Sequence, residues 1–165
     1  MISRLIETGW TPPQGADDRL LRLYAYWLSI CRSGENPIRK DLNPSAIKDL
    51  LPSVFLVDVT GKPARFRFRL VGTSFSQAAG RNITGLLTSD VFPPDFDLEV
   101  LEHWGSVVEM RKPKWGGGQM WVKEREFLKW RGVVLPLQDE AGEVSQLLGA
   151  STFGSTCPVR MAKLP

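Results

Sequence analysis

Residues 64–85, ARFRFRLVGTSFSQAAGRNITG, decide the fold of this chain. Phe66, Phe68 and Leu70 alternate with three arginines. This period of two predicts a strand with one buried face and one solvated face.

A short helix is predicted directly after this strand. Ser74 and Gln77 have the spacing of a capping box, in which two side chains satisfy backbone N–H groups at a helix start. Gly80 can end the helix in a left-handed conformation, and Gly85 then turns the chain toward a second short helix at 86–88.

Upstream and downstream patterns place the next elements. Apolar residues at helical spacing predict a helix over 17–32, capped by its first residue, and a short helix over 44–50. An apolar, β-branched strand over 54–59 is expected to form a hairpin with 66–71. A central helix is predicted over 96–111.

Three more strands are predicted over 119–123, 126–137 and 144–153. The glycine-rich stretch 115–118 is interpreted as a flexible link before them, and Gly132 is expected to form a bulge. Strands on both sides of a helical segment indicate an α+β fold with an antiparallel sheet.

The segments YWLSICRSGENPIRKDLNPSAIKDLLPSVFLVDV and RFRFRLVGT, with the Gly-Arg pair at 80–81 and the later Gly85, resemble a family of short bacterial proteins with a single PAS domain. The resemblance implies a five-stranded antiparallel sheet with helices on one face and an N-terminal flanking helix. The chain is accordingly divided into an N-terminal arm, 1–16, a PAS-like domain, 17–155, and a C-terminal tail, 156–165.

Composition is that of a folded domain. The 165 residues are 42% hydrophobic and 24% charged, with a net charge of +3, which is too small to indicate nucleic acid or a membrane as partner. No apolar run is long enough to span a bilayer, and no secretion signal precedes the domain. Cys31 and Cys157 lie far apart and are interpreted as reduced thiols, which predicts a cytoplasmic protein.

No constellation typical of catalysis or metal binding is found. The single histidine, His103, lacks companion metal ligands and a nucleophile in an elbow motif. Some PAS relatives bind haem through a histidine on this helix, but His103 is expected on the exposed helix flank, beside the apolar stripe. A flavin–cysteine adduct would require a thiol where Ile83 stands, whereas non-covalent flavin binding is not excluded by the sequence and has no specific support in it. No cofactor is therefore predicted, although an unknown small-molecule ligand stays open.

Basic residues on two strands offer a third type of partner. Arg65, Arg67 and Arg69 would lie on one face of their strand, which could contact nucleic acid. Acidic residues interleave with the later basic strand and no aromatic residues share the face, so paired charges on a solvated surface are the favoured interpretation.

A cavity between sheet and helices is the candidate site. We expect small residues such as Gly149 to leave room in it, and Gln77 and Arg81 to supply polar contacts at its rim. A solid core is the alternative. The residues expected around the cavity are Phe68, Leu70, Phe75, Gln77, Arg81, Ile83, Leu86, Phe92, Val100, Trp104, Val133, Leu135, Leu147 and Gly149.

The N-terminal helix is apolar on more than one side, which predicts a two-fold homodimer centred on it. PAS relatives often dimerise through such helices. The competing explanation is that the arm, with Ile6 and Trp10, folds back over the helix. The predicted interface comprises Leu20, Leu21, Tyr24, Trp27, Leu28 and Cys31.

These features predict a non-enzymatic sensory or regulatory module. It would bind a small molecule or a protein partner and signal through another protein. The alternative is a constitutive interaction module, which dimerises and has a filled core and no ligand.

Overall fold

The computed structural model describes residues 5–122, 124–125 and 128–154. Its strands are β1 (Leu5–Gly9), β2 (Val54–Thr60), β3 (Arg65–Val71), β4 (Lys114–Gln119), β5 (Lys129–Gln138) and β6 (Val144–Gly154). Its α-helices are α1 (Asp18–Ile30), α2 (Thr73–Ala79), α3 (Thr88–Val91) and α4 (Pro94–Met110), and the 3₁₀ segments are Arg39–Asp41 and Pro44–Ser53.

The strands form one antiparallel sheet in the order β1-β4-β5-β6-β2-β3. Strands β2 to β6 are the five-stranded antiparallel sheet that the sequence predicts, so the α+β fold class is confirmed. Strand β1, from the segment interpreted as an arm, adds a sixth strand at the edge beside β4. The tail at 156–165 lies outside the described residues.

Two apolar clusters lie on the two faces of the sheet. Successive strand residues point to opposite faces, so Val57 joins one cluster while Leu56 joins the other. Helices α2 to α4 pack on the face of Val57, which carries the first cluster. Helix α1 lies across β5 and β6 on the face of Leu56, which carries the second cluster. None of the described helices is long and apolar enough to cross a bilayer.

Helix α1 begins and packs as its sequence predicts. The Asp17 side chain accepts a hydrogen bond from the backbone N–H of Arg19 at 2.8 Å, which satisfies one donor of the first turn. Leu20, Leu23 and Trp27 are buried, and the Trp27 indole donates to the Pro136 carbonyl at 3.0 Å. The sheet of the same chain therefore covers one face of this helix.

The predicted hairpin of β2 and β3 is confirmed, but its buried pattern breaks at the end of β3. Leu56 pairs with Leu70 while Val57 pairs with Phe68, so Arg69 is an extra residue in a β-bulge. A bulge reverses the alternation of side chains beyond it. Leu70 is consequently 54% exposed on the outer face, and its predicted place in the cavity is wrong.

The connection from β3 to α2 depends on glycine. Gly72 has a φ of −68°, which any residue can adopt. A Cβ there would lie 2.3 Å from the carbonyl oxygens of Leu51 and Pro52, so glycine is needed because a side chain would not fit. Gly72 is also the cap of α2, without a side-chain bond, so the predicted capping box of Ser74 is wrong. Gly80 ends α2 at a φ of 81°, as predicted.

The glycine-rich stretch near residue 116 is a strand, where a flexible link was expected. Residues of β4 pair with β5 on one side and with β1 on the other, and this pairing outweighs the low strand propensity of glycine. Gly132 pairs regularly with Gly116 and Ser151, so it forms no bulge. Two predicted strands include Lys123, Glu126 and Phe127, which lie outside the described residues.

We expect Gly72→Ala to lower the free energy of unfolding by about 1–3 kcal/mol, because backbone oxygens cannot rotate away from an added methyl group. Gly105→Ala is the matched control, since nothing lies within 4 Å of a Cβ at this helical position. The control should raise stability by about 0.5–1 kcal/mol. Urea unfolding measures both changes, and an unchanged stability for Gly72→Ala would contradict the close approach.

Candidate functional site

The space between the sheet and helices α2 to α4 is filled by aromatic rings. Phe55 stacks on Trp104 with ring centroids 5.5 Å apart, and Phe96 stacks on Trp121 at 5.7 Å. Phe92 meets the Trp121 ring edge-on at 5.0 Å. These offset and edge-to-face contacts are the geometries that aromatic pairs prefer.

A cavity of about 30 Å³ is left among these rings. Its lining is Phe55, Phe75, Phe92, Phe96, Val100, His103, Trp104, Trp121, Trp130, Gly132, Val134 and Ser151. Such a volume holds one or two water molecules, whereas pockets for drug-sized ligands span about 300–1,000 Å³. Between the two interpretations left open by the sequence, this packing corresponds to the filled core.

Three polar groups lie in the cavity wall. They are the His103 imidazole on α4, the Trp130 indole on β5 and the Ser151 hydroxyl on β6. The Trp130 indole N–H is buried and has no hydrogen-bond partner among the described residues. An unpaired buried donor costs about 1–3 kcal/mol, so it would favour a bound acceptor.

His103 is buried, and its predicted position on an exposed helix flank is wrong. Burial, with a further contribution from the nearby Lys114 cation, lowers the pKa of His103 from 6.5 to about 4. The imidazole is therefore neutral at pH 7. The helical spacing of α4 explains why His103 is buried. It lies in a stripe at i, i+3, i+4 and i+7, residues 100, 103, 104 and 107, all of which are buried.

Four of the predicted cavity residues line the cavity, namely Phe75, Phe92, Val100 and Trp104. Phe68, Ile83 and Leu147 are buried in the same aromatic cluster, and Leu86 packs against it. Gly149 faces this cluster as well, since a Cβ there would lie 2.2 Å from the Phe55 ring.

Four other predicted cavity residues point elsewhere. Val133 and Leu135 belong to the second cluster, on the face that α1 covers, because the inward phase of β5 is that of Gly132 and Val134. Gln77 is exposed, and its carbonyl accepts from Arg125. The exposed Arg81 donates to the Asp90 carbonyl at 2.6 Å, which links the loop after α2 to α3.

Most of the aromatic residues that line the cavity were not predicted from the sequence. Phe96 stands at the start of α4, one turn before Val100, and helical spacing could have included it. Phe55 and Leu56 are adjacent apolar residues of β2 that point to opposite faces, and the sequence does not show which of them faces the cavity. Trp121 lies just after β4, in a stretch without strand pairing, and no local pattern marks it as buried.

Metal ligands and the basic face of β3 are two further features that could form a site. The described residues contain no group of three His, Cys, Asp or Glu side chains that could hold a metal ion. Arg65, Arg67 and Arg69 are exposed on β3, as the alternation predicts. Arg69 pairs with Asp58 at 3.3 Å, and Arg67 donates to the Gly85 carbonyl at 2.7 Å, so both have partners within the chain.

The predicted dimer residues on α1 separate into two groups. Leu20 and Trp27 are buried between α1 and the sheet, so they cannot form an interface with another chain. Tyr24 and Cys31 are half-buried against the second cluster, on the same face of the sheet. Leu21 and Leu28 are exposed and seven residues apart, which places them on one side of the helix.

The described part of the arm, residues 5–16, does not cover this side of α1. Strand β1 pairs with β4, and the Lys114 ammonium lies 4.7 Å from the ring of Trp10, which is itself exposed. The side chain of Ile6 lies outside the described residues.

Comparison with known proteins bears on the family and the fold. A family model described as a PAS domain matches residues 17–152. A light-oxygen-voltage domain solved in work on a flavin analogue is 14% identical, with a TM-score of 0.51, over 72% of this chain and 88% of that one. The structure of an RNA-binding light-oxygen-voltage receptor is 14% identical over 80% of this chain and 38% of the receptor, with a TM-score of 0.49. No curated protein matches the chain.

Acidification should destabilise the protein through His103. Its folded pKa of about 4 lies below the unfolded value of 6.5, so the unfolded chain binds a proton first as the pH falls. The neutral His103 therefore makes its full contribution to the free energy of unfolding above pH 6.5. This contribution falls by about 3 kcal/mol as the pH decreases to 4.

His103→Gln should lack this part of the pH dependence in urea unfolding, while all other titrating groups remain. Because the chain has one histidine, its imidazole NMR resonances can be assigned directly. A midpoint near pH 6.5 would show an exposed ring and contradict the burial.

Proposed function

Because the chain belongs to the PAS domain family, we propose that it is a non-enzymatic sensory or regulatory module whose output passes through contact with another protein. The observation that carries the proposal is the central cavity of about 30 Å³, which aromatic rings fill without a ligand. With so little internal space, the outer surfaces are the part of the molecule available for recognition.

The proposal extends to a homodimer formed by the exposed stripe of α1. The stripe comprises Leu21, Ala25 and Leu28, which are all exposed and are spaced at i, i+4 and i+7. An isologous pair would bury each stripe against its two-fold copy. Arg22 beside it is held by Asp49 at 2.7 Å, so it does not add an unpaired charge to the contact.

A cytoplasmic location is part of the same proposal. Cys31 is a free thiol, and burial raises its pKa, which keeps it in the less reactive protonated form. A free thiol is common in reducing compartments.

Small-molecule sensing is the second candidate, and the unpaired indole N–H of Trp130 favours it. A ligand with a hydrogen-bond acceptor could bind this donor, with His103 and Ser151 as further polar contacts. Such a ligand would have to displace aromatic side chains to enter.

Native mass spectrometry separates the two candidates. We expect the purified protein to be colourless and to have the mass of the chain or of its dimer, because the core is filled by its own side chains. The same sample measured under denaturing conditions is the control. A small molecule that is present in the native mass and lost on denaturation would support the sensor and contradict the filled core.

The dimer predicts a second result. Leu21→Glu combined with Leu28→Glu should convert a dimer to a folded monomer in light scattering, because like charges would meet at the two-fold axis. Leu98→Glu is the control, since Leu98 is an exposed leucine on α4, away from the stripe. A wild-type monomer at micromolar concentration would contradict the proposal.

A further inference from the structure

A groove of about 580 Å³ lies on the outer face of the sheet, between the 3₁₀ segment Pro44–Ser53 and β3. Leu56 and Leu148 form part of its floor. Leu51 on the 3₁₀ segment and Leu70 on β3 also line it, and their exposed fractions are 38% and 54%. We name this feature the outer groove.

Two local features shape the outer groove. The β-bulge at Arg69 turns Leu70 outward, as described above. The close approach of Gly72 to the carbonyls of Leu51 and Pro52 brings the end of the 3₁₀ segment into contact with the residues that follow β3. Helix α1 makes its main contacts with β5, β6 and the 3₁₀ segment. The floor leucines Leu56 and Leu148 are themselves only 3% exposed, so the apolar surface open to a partner is on Leu51 and Leu70.

The charged side chains that line the outer groove are both basic. Its lining includes the exposed Arg39 and Lys48, and neither has an ion pair among the described residues. The acids on the neighbouring elements are already paired. Asp49 binds Arg22 at 2.7 Å, Asp41 binds Arg32 at 2.6 Å, and Asp58 binds Arg69 at 3.3 Å.

The backbone of β3 offers little for an added strand. The Phe68 N–H donates to the Leu86 carbonyl at 2.9 Å, and the Phe68 carbonyl accepts from the Gly85 N–H at 2.7 Å. These bonds close the free edge of β3 in its middle, so recognition by an extended peptide would lose its main-chain hydrogen bonds. Recognition by side chains, in the manner of a helix in an apolar groove, remains.

We propose that the outer groove binds an amphipathic helix of a protein partner, with acidic residues beside the apolar face of that helix. Leucine-like anchors would fill the space between Leu51 and Leu70, and the acids would pair with Arg39 and Lys48. The inference deepens the proposed function, on which it rests for the premise that the output is a protein contact.

Fluorescence anisotropy with the full chain tests this. The probe is a labelled helical peptide of about 15 residues with leucines at i, i+3, i+4 and i+7 and glutamates beside them. The matched peptide has lysines in place of the glutamates. We expect the acidic peptide to bind about tenfold more tightly, with an affinity that falls as salt rises from about 50 to about 500 mM.

Two variants locate the binding site. Leu70→Gln should weaken the acidic peptide about tenfold, since it removes an apolar side of the groove. Combined Arg39→Gln and Lys48→Gln should weaken it severalfold and flatten its salt dependence. Leu98→Gln and Lys112→Gln are the controls, exposed residues outside the groove that should leave binding unchanged.

Three outcomes would overturn the inference. They are equal binding of both peptides, binding that Leu70→Gln does not weaken, and a dimer that Leu70→Gln dissociates, which would make a second copy the occupant. The α1 stripe and the mass of the native protein are measured separately, so a failure here leaves the proposed function to be judged by those experiments.

Discussion

The packing of Phe55 against Gly149 is the contact on which the filled core depends. These residues are paired across β2 and β6, and the Phe55 ring occupies the space that any side chain at position 149 would need. From there the ring contacts Trp104, Phe68 and Phe75, with centroids 5.5, 6.2 and 5.2 Å away. A single glycine thus allows one ring to join strand and helices, and well-packed interiors tolerate few changes of volume at such a place.

The sheet carries two cores because its strands alternate without interruption in the centre. Leu147 and Leu148 are adjacent in sequence, yet each is buried in a different cluster. Such strands lack the polar side that an exposed sheet face would have, which requires a cover on both faces. Helix α1 supplies the second cover, so the flanking helix is a structural part of the folded chain as well as the carrier of an exposed stripe.

The elements that the sequence predicted well are those determined by neighbours along the chain. The Asp17 cap, the hairpin of β2 and β3 and the left-handed Gly80 all follow from local spacing. The misplaced residues depend on distant contacts. Leu70 is turned outward by a bulge in strand pairing, and the β4 glycines are held by two neighbouring strands. The burial of His103 is consistent with the helical period, but the stripe was centred on Val100 and Trp104, which placed the histidine at its flank.

The alternation that divides the cores also connects the cavity with the outer groove. Phe55 lines the cavity and Gly149 packs against its ring, while their sequence neighbours Leu56 and Leu148 line the outer groove and are paired with each other. A repacking of Phe55 that displaces the β2–β6 pair would also displace Leu56 and Leu148, because these residues share the same paired backbone and dense interiors transmit strain. The same link works in reverse, since a partner that prefers one arrangement of the floor would favour the matching arrangement of the aromatic cluster. We therefore expect a core filled with rings to couple to the outer surface through the backbone of two strands.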